Sequence, residues 1–243
     1  MNLERQKPRD EAMEQIENYI IKNNLEPDDR LPSERGMCDM WGISRSTLRS
    51  AIKQLMLEGK IYTKNGAGTY VAGEKLIRNL QDAEGFYQTV INAGRKISTK
   101  VVRMDFCETP KNVGRKMKLP LGYKLFRLLR IRYLDGIPVM LSAAYLDAER
   151  FPGIEKHDFS SQSLYGVLKD EYGVEVSGGS EKLSITYCDQ EEAGYLGIEE
   201  GVPVIYQSGV TMDSEDTIFE YFNEITRSEY ICFASELTRK QAL

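Results

Sequence analysis

The side chains best suited to chemistry in this sequence are arginines, which form two groups. In the first, Arg45 and Arg49 lie four residues apart, and Lys53 follows after another four. In the second, Arg130 and Arg132 lie two residues apart. A guanidinium group can donate paired hydrogen bonds to a phosphate, to a carboxylate or to the O6 and N7 atoms of guanine. Both groups therefore predict recognition of anions or of DNA.

The sequence offers little support for catalysis or metal binding. His157 is the only histidine, and its polar loop favours a solvated or loop-capping role over a catalytic one. The four cysteines lie far apart without a CxxC pair, which predicts reduced thiols and no metal site. The acidic cluster from Asp213 to Asp216 is interpreted as a solvated hairpin tip, with divalent-ion binding as the alternative. We therefore expect no catalytic residue, no metal and no cofactor.

The first arginine group belongs to a predicted helix that Ser44 caps and Gly59 ends. Four apolar side chains fall within an arc of roughly 100°, which predicts a buried face: Leu48, Ala51, Ile52 and Leu55. The opposite face carries cations and hydroxyls but no carboxylate: Arg45, Ser46, Arg49, Ser50 and Lys53. A solvated helix face ordinarily mixes both signs of charge, so this face is predicted to meet phosphates and base edges.

Two further helices are predicted before it. The first runs from about Arg9 to Asn24, and the second is capped by Ser33 and ends at Gly42. The inner face of the second is predicted to be Met37, Met40 and Trp41. The single residue between Gly42 and the next cap is typical of a helix-turn-helix.

A β-hairpin wing is predicted after the third helix. Two short alternating strands flank the Asn65-Gly66 pair, which suits a tight turn, and Lys64 makes the tip cationic. From Arg30 to Lys75 there are eight basic and four acidic residues, so this segment carries +4 in a chain whose net charge is −5. A local basic region on an acidic protein is sufficient for phosphate contact.

These motifs resemble the winged helix of GntR-family bacterial transcription factors over about residues 9 to 72. The resemblance rests on Leu31-Pro-Ser-Glu-Arg35, on Ser44-Arg-Ser-Thr-Leu-Arg49, and on Glu58-Gly-Lys-Ile61 with Gly66-Ala-Gly-Thr-Tyr-Val71. It implies DNA contacts from Arg35, Arg45, Thr47, Arg49 and the Gly66 wing tip, with phosphate contacts from Ser44 and Ser46. The alternative is that Arg35 pairs with a neighbouring acid while Arg45 and Arg49 are merely solvated.

The C-terminal part predicts an α+β domain with a mostly antiparallel sheet. It resembles the UTRA effector domain of the HutC subfamily over about residues 86 to 240, and the resemblance implies a chorismate lyase-like fold that senses small molecules. The residues that carry it are Arg130-Ile-Arg-Tyr-Leu-Asp-Gly-Ile-Pro138, Ala144-Tyr-Leu146, Phe151-Pro152, Ser163-Leu-Tyr165, Leu196-Gly-Ile-Glu-Glu-Gly-Val-Pro203, Arg227 and Phe233.

A candidate effector site follows from the second arginine group. Arg130 and Arg132 on one strand point to the same face, and two neighbouring guanidiniums repel unless an anion lies between them. Ser163 begins a predicted helix, whose free N–H groups favour an anion. The resemblance implies a phosphate contact for these residues and for Tyr165, and contact with ligand hydroxyls for Glu220. The alternative is that each arginine pairs with an acid such as Glu181 or Glu224.

Some positions depart from the family pattern at the sugar end of this site. The chain has Ser142 where members often carry Glu, Ala144 where they carry Ser, and Thr226 where they carry Tyr. The usual Arg-Gly-Asp-Arg-Tyr run is Arg227-Ser-Glu-Tyr-Ile231 here. These departures indicate a ligand other than the commonest amino-sugar phosphates.

The sequence as a whole predicts a ligand-responsive transcription regulator, more specifically a repressor. We expect a DNA-binding domain over residues 1–73, a linker over 74–85 and an effector-binding and dimerisation domain over 86–243. The predicted partners are double-stranded operator DNA, a sugar phosphate or small carboxylate, and a second copy of the chain. No apolar run is long enough for a transmembrane helix and no secretory signal is evident, so a cytoplasmic protein without membrane contact is expected. The alternatives are a lyase-like or hydrolytic enzyme and a DNA-binding dimer without an effector.

Overall fold

The computed structural model describes residues 7–64, 67–81 and 85–235, without the side chain of Lys64. The chain divides into two compact units. The first unit comprises Met1–Leu76 with Ser228–Cys232, and the second comprises Ile77–Arg227 with Phe233–Leu243.

The first unit contains the predicted helix-turn-helix and the two strands of the wing. Its elements are α1 (Pro8–Lys22), α2 (Glu34–Trp41), α3 (Arg45–Leu57), β1 (Ile61–Lys64) and β2 (Gly68–Val71). Ser33 Oγ accepts the Gly36 N–H at 3.1 Å and Ser44 Oγ accepts the Thr47 N–H at 3.1 Å, so both predicted helix caps are confirmed. Gly42 adopts a left-handed conformation with φ of 66°, which ends α2 one residue before the next cap.

The core of the first unit lies where α1, α3 and β1 meet, and the four predicted apolar residues of α3 are buried in it. Met37 is also buried, but the placement of Met40 on the inner face of α2 is wrong, since Met40 is 54% exposed. At 100° per residue, the inner arc of α2 runs from Met37 through Trp41 to Cys38, which both pack on the core. Met40 falls about 60° outside that arc.

The second unit is built on a six-stranded antiparallel sheet with the order β4-β5-β6-β9-β8-β7. A separate two-stranded pairing joins β3 to β10. The elements, in chain order, are β3 (Leu76–Asn79), α4 (Phe86–Asn92), β4 (Ile97–Glu108), α5 (Lys111–Met117), β5 (Lys124–Leu134), β6 (Ile137–Asp147), a 3-10 turn (Ile154–Lys156), α6 (Leu164–Tyr172), β7 (Gly178–Tyr187), α7 (Gln190–Leu196), β8 (Pro203–Met212), β9 (Ile218–Thr226) and β10 (Ile231–Ala234).

One face of the sheet is covered by α6 and the other carries α7. The first core contains Phe126, Leu128, Ala144 and Leu146 from the sheet with Leu164, Val167 and Leu168 from α6. The second core contains Ile131, Leu141 and Ile225 from the sheet with Ala193 and Leu196 from α7. Alternate residues of β5 and β6 therefore face opposite cores, as the pleat of a strand requires.

Three elements differ from the sequence-based expectation. The predicted linker contains β3, which pairs with β10 about 150 residues further along the chain. The Leu76 N–H donates to the Tyr230 carbonyl and the Leu80 N–H donates to the Ala234 carbonyl, each at 2.8 Å. The helix α4 has no side-chain cap at Gly85, so no start signal marks it. The sequence also predicts a strand region from Val174 to Tyr187 that is broken at Ser177-Gly-Gly179. The strand β7 begins only at Gly178, while Val174 and Val176 pack against the core outside the ladder.

Two glycine substitutions should change stability in opposite directions. A Cβ on Gly209 would lie 2.4 Å from the Ser180 carbonyl oxygen and 2.8 Å from the Phe222 ring, whereas a Cβ on Gly194 in α7 would meet nothing within 4 Å. We expect Gly209→Ala to lower the free energy of unfolding by about 1–3 kcal/mol through overpacking. We expect Gly194→Ala to raise it by roughly 0.5–1 kcal/mol through helix propensity. Urea unfolding of both variants checks this, and equal effects would contradict it.

Candidate nucleic-acid interface and anion pocket

The outer face of α3 presents the predicted cations and hydroxyls to solvent. Arg45, Ser46, Arg49, Ser50 and Lys53 are all exposed, while the four predicted apolar side chains of the same helix, Leu48, Ala51, Ile52 and Leu55, are buried. The division into a buried and an exposed face that the sequence predicted is therefore present. Arg35 lies on α2 with its side chain 81% exposed.

Hydroxyl groups gather at the amino end of α3. Ser44 Oγ lies 2.9 Å from Ser46 Oγ and 2.8 Å from Thr47 Oγ1, in addition to capping the helix. A helix amino terminus carries a partial positive charge, so hydroxyl and N–H donors there favour a phosphate oxygen.

Two of the exposed arginines, Arg49 and Arg35, lie next to acidic side chains that pair with them. Arg49 Nε donates to Glu34 Oε2 at 2.8 Å, and Arg35 Nε lies 3.8 Å from Asp39 Oδ2. The Glu34 hydrogen bond raises the pKa of Arg49. The pairing of Arg35 with an acid, which was the alternative interpretation, does occur. Exposed ion pairs of this kind contribute little stability, so a phosphate or a base edge can displace them.

Part of the predicted wing tip lies outside the described residues. Lys64 is placed only as backbone at the end of β1, and Asn65 and Gly66 are outside the described ranges. The strands that support the tip pair in the register Ile61 to Val71 and Lys64 to Gly68.

A polar cavity of about 340 Å³ lies in the second unit. Its floor includes a row across three strands, in which Arg130 is opposite Ser142 and Ser142 is opposite Glu224. The row continues on β8 to Gln207, which is opposite Glu224 and fully buried. The lining brings together all five residues predicted for an effector: Arg130, Arg132, Ser163, Tyr165 and Glu220. Residues from β3, the start of α4 and the start of β7 complete the wall.

Two of the three arginines of β5, Arg130 and Arg132, are buried without a carboxylate partner among the described residues. Arg130 and Arg132 are 4% and 6% exposed. Within the described ranges, Arg130 Nε and Nη1 and Arg132 Nε have no hydrogen-bond partner, although Arg132 Nη1 donates to Thr99 Oγ1 at 2.8 Å. Burial lowers the pKa of Arg130 to about 10 and that of Arg132 well below its usual value, the latter with help from Arg130. These two charges are destabilised by their surroundings.

The acids proposed as alternative partners are engaged elsewhere. Glu224 Oε2 accepts from Arg78 Nη1 at 2.5 Å, and Glu224 Oε1 accepts from Ser142 Oγ at 3.2 Å. Glu181 accepts from the Gln207 amide. The interpretation in which each arginine of β5 pairs with Glu181 or Glu224 is therefore wrong.

The other three predicted residues lie at the start of α6 and on β9. Ser163 Oγ caps α6 by accepting the Gly166 N–H at 3.4 Å. Glu220 Oε2 accepts from the Tyr165 hydroxyl and from Thr211 Oγ1, both at 2.7 Å. Burial raises the pKa of Glu220. While these bonds are kept, Tyr165 presents an oxygen rather than a proton to an incoming anion.

Sequence reasoning missed several polar residues that line this pocket. Arg78 falls within the predicted linker, and Ser142 and Glu224 were not assigned to a ligand site. In the sequence, Ser142 stands out only as a departure from the family pattern, and Glu224 only as a candidate ion-pair partner. Alternation along β5, β6 and β9 would have placed Ser142 and Glu224 on the arginine face once the strand order was known.

Three smaller expectations can also be compared with the structure. Asp213 is 6% exposed and accepts from Arg150 and from the Glu215 and Thr217 N–H groups, so its placement in a solvated tip is wrong. The Arg150 hydrogen bond lowers the pKa of Asp213. His157 follows the 3-10 turn, with its ring 6.1 Å from that of Phe159. All four cysteines are free.

Comparison with known proteins identifies the family. Residues 8–71 match the bacterial regulatory protein gntR family, and residues 92–231 match the UTRA domain. The chain is 26% identical to the HTH-type transcriptional repressor NagR of Bacillus subtilis over 98% of this chain and 99% of that protein. It is 30% identical to the uncharacterized HTH-type transcriptional regulator YurK of the same organism, over 76% of this chain and 77% of that one.

The fold agrees with that result. The crystal structure of PhnF from Mycobacterium smegmatis matches with a TM-score of 0.68 at 20% identity, covering 94% of this chain and 100% of that one. The chain belongs to the GntR family of bacterial regulatory proteins that carry a UTRA domain, and it is a DNA-binding transcriptional regulator rather than an enzyme. Among the described helices, none is long and apolar enough to cross a membrane.

Removing the acid beside Arg49 should strengthen non-specific DNA binding. Glu34→Gln removes a negative charge and frees the Arg49 guanidinium for phosphates, so we expect affinity for random duplex to rise about threefold to tenfold at low salt. Fluorescence anisotropy over a salt series measures the change. Glu215→Gln, in the β8–β9 hairpin of the second unit, removes one charge as a control. Equal effects of the two variants would contradict a direct role of Arg49.

Removing a buried, unpaired charge should stabilise the ligand-free protein. Arg132→Met keeps much of the side-chain volume while removing a charge that burial and Arg130 disfavour, so we expect the free energy of unfolding to rise by about 1–3 kcal/mol. Urea unfolding in an anion-poor buffer is the measurement. Arg127→Met, which breaks the half-exposed pair with Asp105, is the control and should not stabilise. A clear destabilisation by Arg132→Met would contradict the inference that burial and Arg130 outweigh the attraction of Glu224 at Arg132.

Proposed function

We propose that this regulator is a homodimeric repressor whose DNA binding is controlled by a small anionic metabolite in the cavity of the second unit. The observation that carries the proposal is the pair of buried arginines, Arg130 and Arg132, with guanidinium nitrogens that have no partner in the described structure. A protein retains such a pair at a cost to its own stability. An anion that binds between them removes that cost, which makes the site strongly dependent on its ligand.

The DNA-reading element in this proposal is α3, inserted into the major groove. Arg45 and Arg49 lie one turn apart near its start, where recognition helices contact bases, and each can grip guanine bidentately. Arg35, Ser44, Ser46 and Thr47 bind phosphates or adjacent base edges, and Lys64 and Gly66 of the wing approach a neighbouring groove or phosphate.

The ligand favoured by the pocket is a sugar phosphate rather than a plain small carboxylate. Arg130, Arg132 and the Ser163 end of α6 provide a positive region for a phosphate. Glu220 and Glu224 of β9 add two carboxylates to the lining, which suit hydroxyl or amino groups. A volume of about 340 Å³ lies at the small end of the usual ligand-pocket range.

Repression and dimerisation rest on two further arguments. Relatives over most of the chain include the repressor NagR and, at 25% identity over 86% of this chain, the probable fructoselysine utilization operon transcriptional repressor of Escherichia coli. One winged helix reads only a half-site, so a two-fold dimer is needed to read a symmetric operator. The protein would act in the cytoplasm, where the operator and phosphorylated metabolites are found.

The contacts of the pocket acids argue against the alternative of a DNA-binding dimer without an effector. A domain that served dimerisation alone would be expected to neutralise Arg130 and Arg132 with its own acids. Instead, Glu224 is committed to Arg78 and Glu181 to Gln207. The pocket therefore favours a regulator whose ligand satisfies the unpartnered guanidinium nitrogens of Arg130 and Arg132.

Two substitutions should separate DNA reading from ligand sensing. After operator duplexes are selected from random DNA, we expect Arg49→Ala to lose about 1–3 kcal/mol of discrimination between selected and random sequence. We expect Arg132→Met to keep operator affinity but to lose its response to a panel of sugar phosphates and small carboxylates. Anisotropy with and without each panel compound provides both values.

Each outcome of that experiment is informative. Lys124→Ala, a substitution on β5 that leaves Arg130 and Arg132 in place, is the control and should behave like the wild type. A normal ligand response in Arg132→Met would contradict the anion pocket, and undiminished discrimination in Arg49→Ala would contradict the role of α3.

A further inference from the structure

A third guanidinium enters the anion pocket from outside the six-stranded sheet. Arg78 lies on β3, its side chain is 14% exposed, and it pairs with Glu224 at 2.5 Å. The same Nη1 atom donates to Gln207 Oε1 at 3.2 Å, and the guanidinium carbon lies 5.7 Å from the centre of the Phe233 ring. These contacts fix the middle of β3 to the floor of the pocket.

Apart from the buried side chain of Leu76, which is 3% exposed, the strand that carries Arg78 has few other attachments. It has four residues and, within the described ranges, pairs only with β10, in a two-stranded sheet. Two-stranded sheets are marginally stable without further packing, and Ile77 beside Arg78 is 65% exposed. The ion pair with Glu224 is therefore a major attachment of β3 among the described contacts. Leu76, where β3 begins, is also the last residue of the N-terminal segment of the first unit.

An anion at Arg130 and Arg132 acts on both partners of this ion pair. Arg78 is close enough to Arg132 to depress its pKa, and Glu224 is close enough to both β5 arginines to act in the opposite direction. A bound phosphate attracts the Arg78 guanidinium and repels the Glu224 carboxylate. The low dielectric of a buried site makes both forces larger than in water. The same ligand therefore weakens the Arg78–Glu224 pair from both sides.

We propose that Arg78 is a positioning residue through which anion binding in the pocket changes the attachment of β3. An anion held by Arg130 and Arg132 competes with Glu224 for the guanidinium of Arg78. This proposal rests on the proposed anion-binding function. The anion draws Arg78 away from Glu224, β3 loses its attachment, and the change passes along the chain to Leu76.

Hydrogen exchange of the full chain tests the proposal, with inorganic phosphate as the probe. The Leu76 and Leu80 amides, bonded to Tyr230 and Ala234, report on β3. We expect saturating phosphate to speed exchange in the peptide covering residues 76–80 by about threefold or more in the wild type. Calorimetry on the same samples measures phosphate affinity independently of the exchange response.

The variants separate coupling from simple binding. In Arg78→Gln we expect fast exchange in β3 without phosphate, no further change with it, and phosphate affinity lowered by at most several-fold. Glu224→Gln should likewise exchange fast without phosphate, and Arg78→Lys should restore part of the response. Arg127→Gln breaks the Arg127–Asp105 pair, whose carboxylate lies on β4 outside the pocket, and should respond like the wild type.

The possible failures are distinguishable. If the wild type binds no phosphate by calorimetry, the anion pocket itself is wrong and the role of Arg78 falls with it. If phosphate binds but hydrogen exchange in β3 is unchanged or slower, the proposed competition between phosphate and Glu224 for Arg78 is wrong. A wild-type exchange response in Arg78→Gln, or complete loss of phosphate binding in that variant, also overturns the proposal.

Discussion

The second unit depends on two buried guanidiniums, those of Arg130 and Arg132, that its acids do not pair with among the described residues. Arg130 and Arg132 are directed to one face of β5 by the strand pleat, and the surrounding sheet buries them. The nearest carboxylates are committed to other donors, Glu220 to Tyr165 and Thr211, and Glu224 to Arg78 and Ser142. Because each acid is already satisfied, the positive region remains available to a ligand.

The first unit is held in its folded conformation by short-range interactions. Serine caps start α2 and α3, a left-handed glycine turns between them, and a small apolar core fixes the angle at which α3 is presented. Its exposed cations are held only by weak surface ion pairs. Binding of DNA can therefore replace these pairs at low cost, while ligand binding in the second unit acts through buried charges that respond more strongly.

Local signals predicted the first unit almost completely and the pocket only in part. Helix caps, the Gly42 turn and the apolar arc of α3 depend on residues within one or two turns, so the sequence is sufficient to place them. Arg130 and Arg132 were recognised because two cations at strand spacing on one face need a common anion. Arg78 and the β3–β10 pairing were not recognised, because they depend on partners about 150 residues away. Met40 was misplaced because a two-turn helix buries only part of an apparent apolar face.

The most direct test of the central claim is a crystal structure of the protein grown with tungstate, a phosphate analogue that can be located by anomalous scattering. The account predicts an anomalous peak within hydrogen-bond distance of the Arg130 and Arg132 guanidiniums, next to the amino end of α6. An empty cavity in which both guanidiniums are paired with carboxylates of the same chain would contradict it.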